Sequence, residues 1–209
     1  MRQTEPMGHQ AVPAGSGDLE ALGDVLQAAF FDDPVMSWIL PDEATRSRRL
    51  AGMFGILLRT HYLPMHTVWT TAEQSGAALW SPPGHWRIPP GDIARALPAL
   101  LRSLGRHSVR ALRALDHVER QHPEGPPHWY LGVLGTGPAH QGQGVGSALM
   151  APVLERCDRE GVPAFLESSK ESNIAFYARF GFVVTGTTQL PFGGPRVWPM
   201  WREPRPDCP

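Results

Sequence analysis

Cysteine, lysine and long apolar runs are scarce in this chain, and each scarcity excludes something. Only two of the 209 residues are cysteines, Cys157 and Cys208. Cys157 falls on the apolar stripe of a helical pattern and Cys208 close to the end of the sequence, so no disulfide framework is implied and a reduced, cytoplasmic setting fits. Lysine occurs once, at Lys170, and the net charge is −1; neither a nucleic acid nor a membrane surface is an expected partner. No apolar run approaches the roughly 20 residues that cross a bilayer, and residues 1–16 lack the apolar stretch of a signal peptide. The nine histidines include no i,i+4 pair and no cysteine cluster stands beside them, so no metal site is expected. Ser147 lies between Val145 and Leu149 at the places where a hydrolase elbow needs glycines, which removes that chemistry.

Glycine and proline, at 22 each, are plentiful but spread without a repeat, and predict many turns. The length suits one large domain with a sizeable core. Residues 128–182 organise the rest. Trp129, Leu131 and Val133 alternate with Tyr130, Gly132 and Leu134, the period of a strand, and Pro138 ends it. Gln141-Gly142-Gln143-Gly144-Val145-Gly146 follows, then Val145, Ala148, Leu149, Val153 and Cys157 at helical spacing. Glycines at a helix entrance let backbone approach a ligand. The first N–H groups of a helix lack internal partners and sit at the positive end of its dipole. Together they make a phosphate site.

Three cofactor folds use that device. A P-loop has the glycine spacing of Gly137 and Gly142, but Gln143 and Gly144 stand where it needs lysine and a hydroxyl. A dinucleotide fold begins at Gly135-Thr136-Gly137, and Glu167 is placed as its ribose acid would be, yet His140 takes the third glycine position after Pro138. The third pattern, the Gln/Arg-x-x-Gly-x-Gly/Ala turn of acetyl-CoA enzymes, is met by Gln141, Gly144 and Gly146.

With His140–Ser147, Gly161–Glu167, Asn173–Arg179 and Gly194–Trp198, the chain resembles the GNAT superfamily of N-acetyltransferases, and within it the puromycin N-acetyltransferase-like branch. The likeness is specific over about residues 128–201 and faint before. It implies an α/β fold, a twisted, mixed and mostly antiparallel sheet flanked by helices, with acetyl-CoA as cofactor. It further implies that Leu134, Gly135 and Thr136 hold the pantetheine and acetyl carbonyl. Gln141, Gly142, Gln143, Gly144, Val145, Gly146 and Ser147 would hold the diphosphate, and Asn173 would bond the pantetheine or cap its helix. Gln143 stands where the family often has a cation, so backbone donors would carry more of the affinity.

The remaining segments read as follows. Residues 1–16 form an arm, 17–203 one domain and 204–209 a tail. Leu19, Leu22, Val25, Leu26 and Phe30 make a helix ended by Pro34, and a second helix runs from about Ala44 to Thr60. Asp32 and Asp33, between the two, are candidates to face a cationic acceptor. Thr67–Thr71 and Ser75–Trp80 read as strands, with Trp80 a candidate acceptor wall. Residues 81–127 form an insertion with two helical patterns, whose arginines either attract phosphate or form a solvated face. Phe182–Thr188 and Val197–Trp201 read as a closing strand pair, and Pro152 interrupts the cofactor helix.

By the same resemblance Tyr177 is the proton donor to the departing sulfur. A thiol near 8.5 and a tyrosine near 10 make full transfer uphill by about 2 kcal/mol, so a strengthening hydrogen bond is expected. Glu167, at a strand end beside the cofactor, is the first candidate for the base; His128 and Tyr130 follow, Tyr130 also as an acceptor contact. The expected function is acetylation of a small-molecule amine, such as an aminoacyl-type antibiotic. The alternatives are a protein N-terminal or lysine acetyltransferase and a non-catalytic acyl-CoA sensor.

Overall fold

The computed structural model describes residues 9–205. In chain order the elements are β1 (Ala11–Pro13), α1 (Leu19–Ala29), α2 (Pro34–Ile39), α3 (Glu43–Leu57), β2 (Val68–Thr71) and β3 (Gly76–Ser81). Then come α4 (Pro90–Leu104), α5 (Ser108–Gln121), β4 (Trp129–Thr136), α6 (Val145–Glu160), β5 (Ala164–Ser168) and α7 (Ile174–Ala178). Three strands close the chain: β6 (Val183–Val184), β7 (Thr188–Gln189) and β8 (Arg196–Arg202). The strands lie in the order β1-β2-β3-β4-β5-β8-β6, with β7 on β8. Every pairing is antiparallel except β4 with β5. The mixed, mostly antiparallel sheet expected from the sequence is therefore present.

Apolar alternation explains the layering. One face carries Leu22, Leu26, Leu50, Phe54, Leu58 and Leu79, packing α1 and α3 on the sheet. The other carries Leu131, Val145, Leu149, Val153, Leu166 and Met200 under α6. Trp80 belongs to this second core and has no exposed surface. The expectation that it walls an acceptor is corrected: its indole is used in packing against α6.

Two boundaries also differ. Ala11–Pro13, expected in the arm, pairs with β2 through Ala11 and Thr71; three residues are too few to show a period, and Pro13 is tolerated on an edge. Residues 1–8 and 206–209, hence most of the tail and Cys208, lie outside the described residues. Pro34 opens α2 instead of merely closing the helix before it. The Asp33 carboxylate accepts from Val35 N–H at 2.9 Å and Met36 N–H at 3.1 Å, an N-cap followed by proline at the first helical position.

The insertion forms α4 and α5, which bury Leu104 and Ala114 against the α3 side. Three of its arginines are locally engaged: Arg95 with Asp92 at 2.6 Å, Arg120 with Asp116 at 3.1 Å, and Arg110 with the Trp38 carbonyl.

The feature that makes a site is a break in the sheet. β4 pairs with β5 only from Trp129↔Ala164 to Leu131↔Leu166. On its other side Leu79 faces Val133 and Trp80 faces Leu131, so Gly132 is an extra residue, a β-bulge, which bends and twists the strand. Beyond it β4 stays with β3 while Glu167 and Ser168 follow β8. The two parallel strands diverge, and a cleft opens between them.

Candidate active site

The cleft has a volume of about 620 Å³ and is floored by Leu134, Gly135 and Thr136 of diverging β4. At one end stands the N-terminus of α6. Gly142 and Gly144 have φ of +75° and +88°, the left-handed region that glycine enters without a Cβ penalty. The first helical bond, Ala148 N–H to Gly144 O at 3.0 Å, leaves the N–H groups of Val145, Gly146 and Ser147 without helical partners. All three residues line the cleft. A Cβ on Gly146 would come within 3.2 Å of the Phe176 ring. The helix has no acidic residue in its first turn, so its positive end faces the cavity uncompensated.

Gln141, Gly142, Gly144 and Asn173 also line the cleft, whereas Gln143 does not. Its side-chain amide turns back to donate to Ala139 O at 2.9 Å and closes the turn. Lys170 and Arg179 line the cleft and bring positive charge to it from the β5–α7 side. Asn173 occupies the N-cap position of α7 without a side-chain capping bond, which leaves its amide free for a ligand. A helix mouth with open N–H groups, glycines where a side chain would intrude, two cations and an extended backbone edge together fit a long diphosphate-bearing thioester such as acetyl-CoA.

Tyr177 lines the same cleft. Burial, with the Asp33 carboxylate nearby, pushes its pKa up. Asp33 itself is buried, capping α2 with one oxygen and accepting a short hydrogen bond from the Ser169 hydroxyl with the other. Asp32 is exposed and lines neither cavity. The expectation that Asp32 faces a cationic acceptor is corrected, since Asp32 points to solvent; Asp33 does line the cleft, while its carboxylate also caps α2 and accepts from Ser169.

Glu167 sits where β5 leaves β4. Its carboxyl is nearly enclosed, and Oε1 has no hydrogen-bond partner. Burial raises its pKa to about 8, although a hydrogen bond from Tyr130 favours the charged form. Tyr130 is itself pushed well up by burial and by this carboxylate, so it serves as a donor to Glu167 and is no base. His128, another candidate base, is buried and lines neither cavity. Its Nε2 lies 2.9 Å from Nε2 of His122 and its Nδ1 2.7 Å from Pro126 O. His122 Nδ1 in turn lies 3.9 Å from Glu167 Oε1.

A second, apolar chamber of about 300 Å³ opens on the other face of the sheet, between α3, α4, α5 and β4. Met53, Ile93, Leu100, Leu115 and Val118 line it, with Trp86 near its polar end stacked on His122 at 3.7 Å. Cleft and chamber share Phe30, Gly132 and Val133 as walls. Tyr62, Trp86 and His122 were not singled out from the sequence. None lies in a motif; Tyr62 is carried by a π turn over Leu58–Tyr62 that prolongs α3, and such turns gather at functional sites.

A thioester-sized cleft with a phosphate-binding helix mouth, a buried carboxyl and a phenol defines an acyltransferase. Comparison with known proteins agrees. The model of the acetyltransferase (GNAT) family matches residues 110–182. An uncharacterized N-acetyltransferase of Schizosaccharomyces pombe is 30% identical over 185 residues, covering 79% of this chain and 71% of that one. A Corynebacterium glutamicum structure described as histone acetyltransferase HPA2 and related acetyltransferase is 26% identical with a TM-score of 0.73, covering 97% of this chain and 100% of that one. A Drosophila melanogaster polyamine N-acetyltransferase that forms N-acetylagmatine shares the fold, at 17% identity and a TM-score of 0.62 over 92% of this chain and 98% of that one. The chain belongs to the GNAT family of N-acetyltransferases.

Proposed function

We propose that this enzyme transfers acetyl from acetyl-CoA to the primary amine of a small molecule whose apolar body occupies the chamber. The observation that carries the reading is the place of Glu167, a cleft residue whose buried carboxyl lies 3.9 Å from His122 on the chamber wall. The bound cofactor supplies an activated acetyl thioester. Val145, Gly146 and Ser147 would hold its diphosphate through backbone N–H groups, helped by Lys170 and Arg179. Leu134, Gly135 and Thr136 offer backbone groups to its amide arm and carbonyl, and such fixed donors usually contribute most to the rate.

Glu167 takes the proton that leaves the amine nitrogen. With its pKa near 8, the transfer from an α-amine of pKa 7.7–8.0 is about even, whereas from a lysine-type amine near 10.4 it is uphill by about 3 kcal/mol. An aminoacyl-type acceptor, including an aminoacyl antibiotic, asks least of this base. Tyr177, its pKa raised, gives the departing sulfur a hydrogen bond and keeps its own proton.

A panel of α-amino amides tests the reading, because amine basicity stays nearly constant while the body changes. Burying a methylene contributes about 0.8 kcal/mol. Thiol release should therefore rise about fourfold in kcat/KM per step along alaninamide, norvalinamide and norleucinamide, counting each added methylene. Lysinamide, which adds an ammonium to the terminal carbon of norleucinamide, should fall at least tenfold below it. A flat series, or lysinamide ahead, refutes the apolar acceptor; absence of thiol release from these amides, puromycin and amine-bearing peptides alike refutes the transferase.

A further inference from the structure

We propose that His122 and His128 form a tautomer lock that presents an imidazole lone pair to Glu167, making the two histidines positioning residues for the base. The inference rests on Glu167 as the base and deepens that reading.

The argument follows one proton at a time. His128 Nδ1 is 2.7 Å from the Pro126 carbonyl, which can only accept, so Nδ1 carries the proton. Burial lowers the pKa of His128, and burial, His128 and Arg87 lower that of His122 to about 3; both rings are neutral at working pH. Neutral His128 then has a bare Nε2. His122 Nε2, 2.9 Å away, must donate to it. Neutral His122 is left with a bare Nδ1, and this atom faces Glu167 Oε1 at 3.9 Å. The ring is held in that plane by Trp86 stacked at 3.7 Å and by the edges of Tyr130 and Phe165, each at 4.9 Å.

Two lone pairs thus confront each other across a gap too long for a direct hydrogen bond. The arrangement disfavours a bare carboxylate and suits a group with two N–H bonds on one atom, which can donate to Oε1 and Nδ1 together. A primary amine is such a group. The protonated form of such an amine carries a third N–H; after it yields that proton to Oε1 the nitrogen left is neutral and nucleophilic, and the protonated carboxyl faces an acceptor in His122. The other ionisable groups around Glu167 are Tyr130 on β4, which donates to it, and Tyr62 beyond α3; Arg87 and Glu119, 3.9 Å apart, flank the His122–Tyr130 side.

Imidazole ¹⁵N spectra of the wild-type protein test the lock without any need for turnover. The expected result is His122 protonated on Nε2 and His128 on Nδ1; a His122 proton on Nδ1 overturns the proposal. The ¹³C titration of the Glu167 carboxyl, assigned by its loss in Glu167→Gln, should have its midpoint near pH 8. His128→Phe removes the acceptor and lets His122 protonate Nδ1 and donate to Glu167. The midpoint should then fall by at least one pH unit, a tenfold change in proton affinity, while His128→Gln, which restores an acceptor, keeps it near the wild-type value. A merely structural role would leave the midpoint of His128→Phe unmoved, and that result overturns the lock. Intact tautomers together with full turnover in Glu167→Gln would instead remove Glu167 as the base, and with it any positioning role for the histidines.

Discussion

Gly132→Ala is the sharpest test of how the sheet break is built. The φ of Gly132 lies outside the left-handed region, so alanine there meets no backbone penalty and its effect comes from contact alone. A methyl at this position would run into the Tyr62 hydroxyl, with Tyr62 Cζ at 3.2 Å and Tyr130 Cε1 at 3.4 Å. Tyr62 is buried, with the His61 ring edge-on at 4.8 Å, so it has nowhere easy to go. Overpacking of this kind costs about 1–3 kcal/mol. For a domain of this size, about 2 kcal/mol lowers Tm by roughly 4–8 °C. Tyr62→Phe alone removes one hydroxyl, at a cost of about 1 kcal/mol or less. The colliding atom is the hydroxyl oxygen, so the double variant should be about as stable as Tyr62→Phe, a coupling of some 1.5–2 kcal/mol. Urea unfolding of the four proteins measures it. Additive losses would mean that Gly132 is not required by Tyr62, and the account of the bulge would fail.

Tyr177→Phe should lower kcat at least tenfold and leave the Kd for acetyl-CoA nearly unchanged in a calorimetric titration, because the phenol is needed as sulfur departs; an unchanged kcat removes it from the mechanism. Stability should also carry a signature of opposed pKa shifts, Glu167 raised from 4.5 to about 8 and His122 lowered from 6.5 to about 3. Folded Glu167 holds a proton that the unfolded chain loses, so its contribution is complete below pH 4.5 and is lost as pH rises to 8. Folded His122 lacks a proton that the unfolded chain gains, so its contribution is complete above pH 6.5 and is lost as pH falls to 3. Between 4.5 and 6.5 these two slopes oppose each other; Glu167→Gln should abolish the Glu167 share of the fall in Tm from pH 6.5 to 8 and steepen the rise from 4.5 to 6.5 to which His128 also contributes, and a variant profile parallel to the wild-type one contradicts the Glu167 shift.

The fold was largely legible because its signals are local. The alternation at Trp129–Leu134, the glycines before Val145 and the helical spacing behind them each depend on neighbours a few residues apart. The helix mouth followed from them, whereas the cleft floor was an expectation of the resemblance to the GNAT superfamily. The chamber was not legible, since its residues meet only in three dimensions. Tyr62 reaches Gly132 across 70 positions, and Trp86 meets His122 because the insertion folds back over the sheet. Asp33 was ambiguous for a related reason. An acid before proline reads as a solvated turn or as a ligand contact, and in the structure it caps α2, with a 2.9 Å bond from Val35 N–H, while lining the cleft. Trp80 was misplaced because the register shift between Leu79 and Trp80 is invisible in the pattern of apolar residues.

One geometric cause underlies both cavities. A parallel pair such as β4–β5 normally continues its evenly spaced hydrogen bonds along the strands, and here it stops after Leu131 and Leu166. From Val133 onward β4 is bonded to β3 along one edge, and the backbone groups of its other edge face the cleft without a strand partner. Backbone polar groups left without partners are costly when water is excluded. An extended chain carrying amides can take the place of the absent strand, and the amide arm of acetyl-CoA is such a chain; this is why its thioester end would come to rest beside Glu167 and not elsewhere along the cleft. The same bulge at Gly132 that turns β4 away from β5 also makes room for Tyr62 on the opposite face, and so helps shape the wall of the chamber. Cleft and chamber are thus two sides of a single irregularity in one strand, and a change that restored regular β4–β5 pairing would close the first while distorting the second.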